Sequence, residues 1–124
     1  MRYDDDFSSV MRRVEVIKVD DREGVQKVTV MGLADEVFEL PYRGQGHGLT
    51  SVPKVGSVGY AFLVNGRPDQ AVLTGLEHPD DRPKNLESGE STMYATPGQK
   101  VEMKSNGDVL VRSAGGGKIH LNPG

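Results

Sequence analysis

Apolar and polar residues alternate with a period of two along most of this chain. Val14-Glu15-Val16-Ile17-Lys18-Val19 is β-branched and mostly alternating, Asp20-Asp21-Arg22-Glu23-Gly24 supplies turn residues, and Val25-Gln26-Lys27-Val28-Thr29-Val30-Met31 returns. That pattern predicts a pair of strands. Glu36-Val37-Phe38-Glu39-Leu40 predicts a short third strand ending at Pro41. Val58–Val64 and Gln70–Leu76 predict two more, joined by Asn65-Gly66-Arg67-Pro68-Asp69, whose Asn-Gly pair favours a tight hairpin. Before them, Gly44, Gly46 and Gly48 within Tyr42–Pro53 rule out helix and most strand pairing and predict a long flexible loop. Residues 4–12 depart from the alternation and predict a short helix. Its acids lie at the N-terminal end and Arg12-Arg13 at the C-terminal end, as the macrodipole prefers. Five strands with one long central connection fit a small oligonucleotide/oligosaccharide-binding (OB) barrel. A β-sandwich fragment is the competing reading.

The pattern changes after the charged, proline-punctuated stretch His78-Pro79-Asp80-Asp81-Arg82-Pro83-Lys84. Short strands follow at Ser91–Ala95, Lys100–Lys104, Asp108–Arg112 and Lys118–Asn122, divided by the corners Thr96–Gln99, Ser105–Gly107 and Ser113–Gly117. Strand starts recur about every nine residues, a spacing found in β-helices and solenoids. Alternation puts Val101 with Met103, Val109 with Val111, and Ile119 with Leu121 on one face, opposite Glu102 and its flanking lysines. Burying one such side chain yields about 1.5–3 kcal/mol, whereas ordering each residue costs about 1.5 kcal/mol. A lone meander therefore roughly breaks even and leaves its edges open. Copies wound about a common axis would supply the missing core, and a small sheet folded back on the barrel is the alternative.

Composition sharpens the need for a partner. Of the 124 residues only 35% are hydrophobic, with no Trp, four Tyr, three Phe, 16 Gly and 7 Pro. A chain this short with so little core material commonly relies on oligomerisation, metal or disulfides, and the absence of Cys removes disulfides. A formal net charge of −3 counts against a dedicated nucleic-acid binder. No apolar run approaches the roughly 20 residues that span a bilayer. The acidic start Met1-Arg2-Tyr3-Asp4-Asp5-Asp6 lacks the apolar segment of a secretory signal, which predicts synthesis in the cytoplasm.

Candidate chemistry is sparse. His47, His78 and His120 lie on unrelated segments, whereas a metal site needs three or four converging ligands. The symmetric exception is three copies of His120 meeting on an axis, but alternation turns Ile119 and Leu121 inward and His120 outward. The His78-Pro79-Asp80-Asp81 stretch lacks the geometry of an acid–base pair, and no nucleophile elbow, cysteine nucleophile or His-Glu-x-x-His occurs. Gly44-x-Gly46-x-Gly48 opens no helix and does not read as a phosphate loop. Catalytic, cofactor-binding and metal residues are therefore all read as none. The rival activity is single-stranded nucleic-acid binding, for which Tyr42, Tyr60 and Phe62 offer rings and Arg43, Lys54 and Arg67 offer charge. Tyr60 and Phe62 share one strand face and read more simply as barrel core.

Arg13-Val14, the Asp20-to-Gln26 turn, Leu40-Pro41-Tyr42, Gly48-Leu49-Thr50-Ser51-Val52-Pro53, Gly56-Ser57, Asn65-Gly66-Arg67, Ala71-Val72 and Arg82–Glu90 form an ordered set. With the change to short β-repeats just after Gly89-Glu90, this set resembles the central spike proteins of Mu-like phages, the baseplate assembly protein V family. The resemblance implies an all-β homotrimer that is a virion component and not an enzyme. A short N-terminal helix or arm would occupy residues 1–12, an OB barrel 13–80, a linker 81–88 and an intertwined triple-stranded β-helix 89–124. Its threefold core would be Val101, Met103, Val109, Val111, Ile119 and Leu121. The resemblance further implies attachment to a baseplate hub protein and passage through the host envelope, driven by sheath contraction. Family members commonly end in a His-x-His pair that binds iron on the axis. Here the last residues, Ile119-His120-Leu121-Asn122-Pro123-Gly124, carry one His, so the iron site is not carried over. A shortened chain and a short spike capped by a separate tip protein both fit that ending.

Overall fold

The computed structural model describes residues 11–32, 36–40, 43–64 and 67–123. All eight of its regular elements are β-strands, arranged in two antiparallel sheets. The helix expected over residues 4–12 lies mostly outside the described residues. Its last two positions, Met11 and Arg12, instead open the first strand, β1 (Met11–Asp20), because they pair with Phe62 and Ala61.

The first sheet adds β2 (Lys27–Met31), β3 (Val37–Leu40), β4 (Val58–Val64) and β5 (Arg67–Glu77), in the order β3-β2-β1-β4-β5. Its two outermost strands, β3 and β5, pack against each other. No hydrogen-bonded ladder joins them among the described residues, so the sheet curls without a closed ladder. Alternation delivers Val14, Val16, Val28, Val30, Phe38, Ala61, Leu63, Ala71 and Leu73 to one buried face, and Leu76 joins them. Valine and alanine dominate because a small, strongly curved sheet leaves little room inside. The opposite faces of the same strands carry Tyr60 and Phe62, each 46% exposed. The expectation that this pair forms core is therefore corrected. The β4 residues facing the core are Ala61 and Leu63, and the rings point to solvent.

Two of the sheet's three register shifts bear on which side chains reach the core. Val16 pairs with Val30 and Lys18 with Thr29, leaving Ile17 as the extra residue of a β-bulge. The bulge turns Lys18 outward and lets Val19 pack against the core, which strict alternation would have reversed. On β5 the register shifts between Glu77, opposite Val58, and Gly75, opposite Gly59. Leu76 lies between them at φ 59°, a costly conformation for a branched side chain, and is held there by burial in the core.

The chain divides into two compact units, one ending at Asp80 and the other starting at Asp81. The second unit holds a three-stranded sheet of β6 (Ser91–Tyr94), β7 (Lys100–Met103) and β8 (Val109–Arg112) in that order. Its two corners are alike. Gly98 N–H donates to the Ala95 carbonyl (3.0 Å) and Ala95 N–H to that of Gln99 (3.1 Å). Nine residues on, Gly107 N–H donates to Lys104 (3.0 Å) and Lys104 N–H to Asp108 (2.9 Å). Gly98 and Gly107 sit at φ 111° and 94°, as in a turn closed by a glycine bulge. The nine-residue period is thus four residues of strand and five of corner. The strand expected at Lys118–Asn122 is corrected: those residues adopt no strand. Gly117 N–H donates to Ala114 (2.9 Å) and closes a turn, but no ladder follows it.

Gly59 is the tightest approach in the first sheet. A Cβ there would lie 2.4 Å from the Thr74 carbonyl oxygen and 2.7 Å from Leu76 N, both backbone atoms that cannot swing aside. Gly59→Ala should therefore cost about 3 kcal/mol, read as a lowered urea midpoint of the first unit. A midpoint equal to that of the unmodified chain would contradict this packing.

Candidate functional site

The register of the three-stranded sheet decides which residues share a face. Met93 lies opposite Val101 and Val101 opposite Val111, while Ser91, Met103 and Val109 form the adjacent row. Directly opposed residues project to the same side, so one face is almost wholly apolar. None of the described residues of the second unit covers it. Met93 is 58% exposed, Val109 63% and Val111 55%, Met103 is exposed too, and Val101 is half-buried. Among the described residues of the second unit, none is fully buried. Four of the six residues proposed from sequence, Val101, Met103, Val109 and Val111, are thus brought together. Ile119 and Leu121 are exposed in the segment that follows the last turn, outside the sheet. Met93 was missed by the sequence reading. Its signal was present in the alternation Ser91-Thr92-Met93-Tyr94.

The other face is polar and tied to residues 81–90. There Tyr94, Lys100 and Arg112 form one row and Thr92, Glu102 and Leu110 the next. The Glu102 carboxylate accepts from Arg112 Nε at 2.7 Å and has Lys100 and Lys104 Nζ at 3.9 Å. Glu90, whose side chain is only 5% exposed, accepts from Glu87 N–H (2.9 Å) and Ser105 N–H (2.8 Å), with Lys104 Nζ at 3.7 Å. Ser105 Oγ donates to Glu87 (2.7 Å), and Thr96 Oγ1 donates to Asp81 (2.9 Å). Asp81 is thereby fastened beside the first corner and Glu87 with Glu90 beside the second. A recess of about 130 Å³ under this strap is lined by Leu86, Thr92 and Glu102, among others. It is well below the roughly 300 Å³ at which small-molecule sites begin.

The glycine loop is more ordered than its composition suggested. Gln26, buried on its turn before β2, donates from Nε2 to Asp21 Oδ1 (2.8 Å) and to the Ser51 carbonyl (2.9 Å). Arg43 Nη1 donates to Gln26 Oε1 (3.1 Å) and the Ser51 carbonyl (2.8 Å), and its Nη2 reaches Ser51 Oγ (3.1 Å). Ser51 N–H donates in turn to Gln45 (2.7 Å). Burial draws the Arg43 guanidinium below its ordinary value, opposed by the charge of Asp21. These bonds pin the loop against the β1–β2 turn, which corrects the flexible-loop expectation. Of the rival's candidates, Arg43 is committed to this network, Tyr42 lies outside the described residues, and the Arg67 side chain is likewise not described.

The histidines do not converge. His47 and His120 are exposed, and His78 is half-buried with its Nδ1 accepting the Asp80 N–H at 3.2 Å. Among the described residues, no three His, Asp or Glu side chains are grouped to hold a metal.

Two outcomes follow from these networks. Gln26→Leu strips Asp21, Arg43 and the Ser51 carbonyl of a shared buried partner. It should cost about 1–3 kcal/mol, with earlier proteolysis within residues 43–52 as the readout. Hydrogen bonds from Glu87 and Ser105 N–H hold Glu90 below the usual carboxylate range, and the Arg112 hydrogen bond does the same for Glu102. Carboxyls depressed in the folded state stabilise fully above the ordinary glutamate value of about 4.3. That stabilisation is lost as pH falls below this value through the folded-state pKa values. The urea midpoint of the second unit should therefore drop between pH 6 and pH 3. The drop should shrink in a Glu90→Gln/Glu102→Gln variant.

Comparison with known proteins agrees with this layout. The chain is 28% identical over 102 residues to the baseplate puncturing device gp45 of Escherichia phage Mu, an alignment covering 82% of this chain and 52% of that protein. It is 26% identical, also over 102 residues, to the Mu-like prophage FluMu protein gp45 of Haemophilus influenzae, covering 82% and 56% respectively. The chain thus spans about half the length of the curated relatives it matches. The family model described as Bacteriophage Mu Gp45, N-terminal, matches residues 13–80, from the third residue of β1 to the end of the first unit. That match takes in more than half of the chain, and the chain belongs to the phage Mu Gp45 family.

Proposed function

We propose that this chain is a structural, non-enzymatic part of a phage-type baseplate in which three copies form the central spike that punctures the host envelope. The observation that carries the reading is the bare apolar face of β6, β7 and β8. Ordering a residue costs about 1.5 kcal/mol, and among the described residues of the second unit no apolar residue is fully buried to offset that cost. Such a sheet becomes stable when its apolar face meets others of its kind. Three copies turned inward would place Met93, Val101, Met103, Val109 and Val111 in one shared core. Ile119 and Leu121 would join them where the chain runs on past the last turn.

The meander also refines how the copies would meet. β7 is hydrogen-bonded on both sides within its own chain, to β6 and to β8. The threefold core is then built by face-to-face packing of sheets. Exchange between chains is restricted to the free edges of β6 and β8 and to residues 118–123. The first unit fits an OB-type barrel, since the order β3-β2-β1-β4-β5 brings β3 and β5 together and one long connection separates β3 from β4. In this reading residues 13–80 form the barrel that joins the baseplate hub, and residues from 89 onward form the needle. The energy for penetration comes from sheath contraction.

Light scattering on the purified intact chain should give three times the mass of one chain. Val109→Asp and Val111→Asp should each abolish that assembly, because three carboxylates would be crowded into one apolar axis. Both positions are exposed in the single chain, so neither change disturbs its own sheet. A stable monomer of the unmodified chain would refute the spike reading, and an intact trimer of either variant would refute the core assignment.

A further inference from the structure

The outer face of the five-stranded sheet carries a surface that the core does not use. Register places Met11, Phe62 and Val72 in one cross-strand row and Arg13, Tyr60 and Thr74 in the next. All are exposed. Arg13 has no ion pair among the described residues. The following row, Glu15, Val58 and Glu77, borders the patch with two carboxylates.

We propose that this face is the docking surface through which the chain binds a neighbouring baseplate protein, one that presents an apolar patch with a carboxylate set to meet Arg13. The inference rests on the baseplate reading and names the face that reading leaves open. Aromatic residues, Met and Arg are the types enriched at protein interfaces, whereas Lys, Asp and Glu are depleted from their centres. The two central rows match on both counts, and Tyr and Arg are among the types enriched at hot spots. Charge argues against a polyanion as occupant. A nucleic-acid groove needs several cations beside its stacking rings. Among the described side chains of these rows the cation is Arg13, and Glu15 and Glu77 stand beside it. A protein carboxylate satisfies one arginine, and the bordering glutamates then fix its orientation by repelling a shifted pose.

The test compares the unmodified chain with Phe62→Thr/Val72→Thr and with Arg13→Glu, each produced together with the remaining baseplate proteins. Threonine keeps the β-branched preference of the strands, and Arg13→Glu leaves the apolar row intact. Both variants should keep the oligomeric mass and circular dichroism of the unmodified chain. Both should be recovered in assembled baseplates at least tenfold less. Incorporation of both variants at the unmodified level overturns the docking face while leaving the baseplate reading standing. Absence of the unmodified chain from baseplates overturns both. A changed mass in either variant assigns the face to a second copy, and salt-sensitive binding of a single-stranded oligonucleotide lost in both variants assigns it to nucleic acid. Either result overturns the proposal.

Discussion

The second unit is governed by an apolar face that none of its described residues covers. Two equivalent corners, each set by a glycine at positive φ, fix the register of β6, β7 and β8. That register makes Met93, Val101 and Val111 neighbours in one row, with Met103 and Val109 beside them. The opposite side is occupied by the strap of residues 81–90, held by Asp81, Glu87 and Glu90. With one face tied down by polar bonds and the other bare, the sheet has a single direction in which to gain stability. Corner chemistry sets the register, register sets the face, and the face sets the demand for a partner.

The first unit answers the same problem within one chain. Curling brings β3 against β5 and encloses a core of ten buried apolar residues. Curling at this small radius requires local adjustments, such as those at Ile17 and at the Gly59–Gly75 crossing. Leu76 accepts a left-handed backbone there, at a cost of order 1–3 kcal/mol. Its side chain recovers a comparable amount by entering the core. The two units therefore differ in kind. One folds around its own interior, whereas the other leaves its apolar face bare.

Much of this was legible in the residues. The strand positions at Val58–Val64 and Ser91–Tyr94, the corners at Gly98 and Gly107, and the apolar set Val101, Met103, Val109 and Val111 follow from alternation and turn chemistry alone. What failed was anything decided by which face of a strand points inward. Tyr60 and Phe62 look like core because they are aromatic, but in a tightly curled sheet Ala61 and Leu63 fit the concave side and the larger rings are left outside. The Ile17 bulge was equally invisible, since one extra residue reverses every face after it. The order of the glycine loop was hidden for another reason. Glycines report only what a backbone can do, and here Gln26, Arg43, Gln45 and Ser51 determine what it does. Lys118–Asn122 has the alternation of a strand, yet alternation does not supply the ladder partner that a strand needs.

In the proposed assembly the second unit would be stabilised by its copies, and its stability would then be linked to assembly by mass action. The placement of charge suits that arrangement. Glu102, Lys100, Lys104 and Arg112 lie on the face opposite the apolar rows, with Glu90 on the strap beside them, so copies packed through the apolar rows would leave this network outside the shared core. Burying such a network would carry a desolvation penalty that its ion pairs need not recover. Left in water it does two other things. It fastens the strap so that the sheet keeps its shape before and after assembly, and it makes the outward face a poor template for unintended stacking. Polar bonds thus hold the geometry of the sheet, and its apolar face is the surface that the proposed assembly would bury.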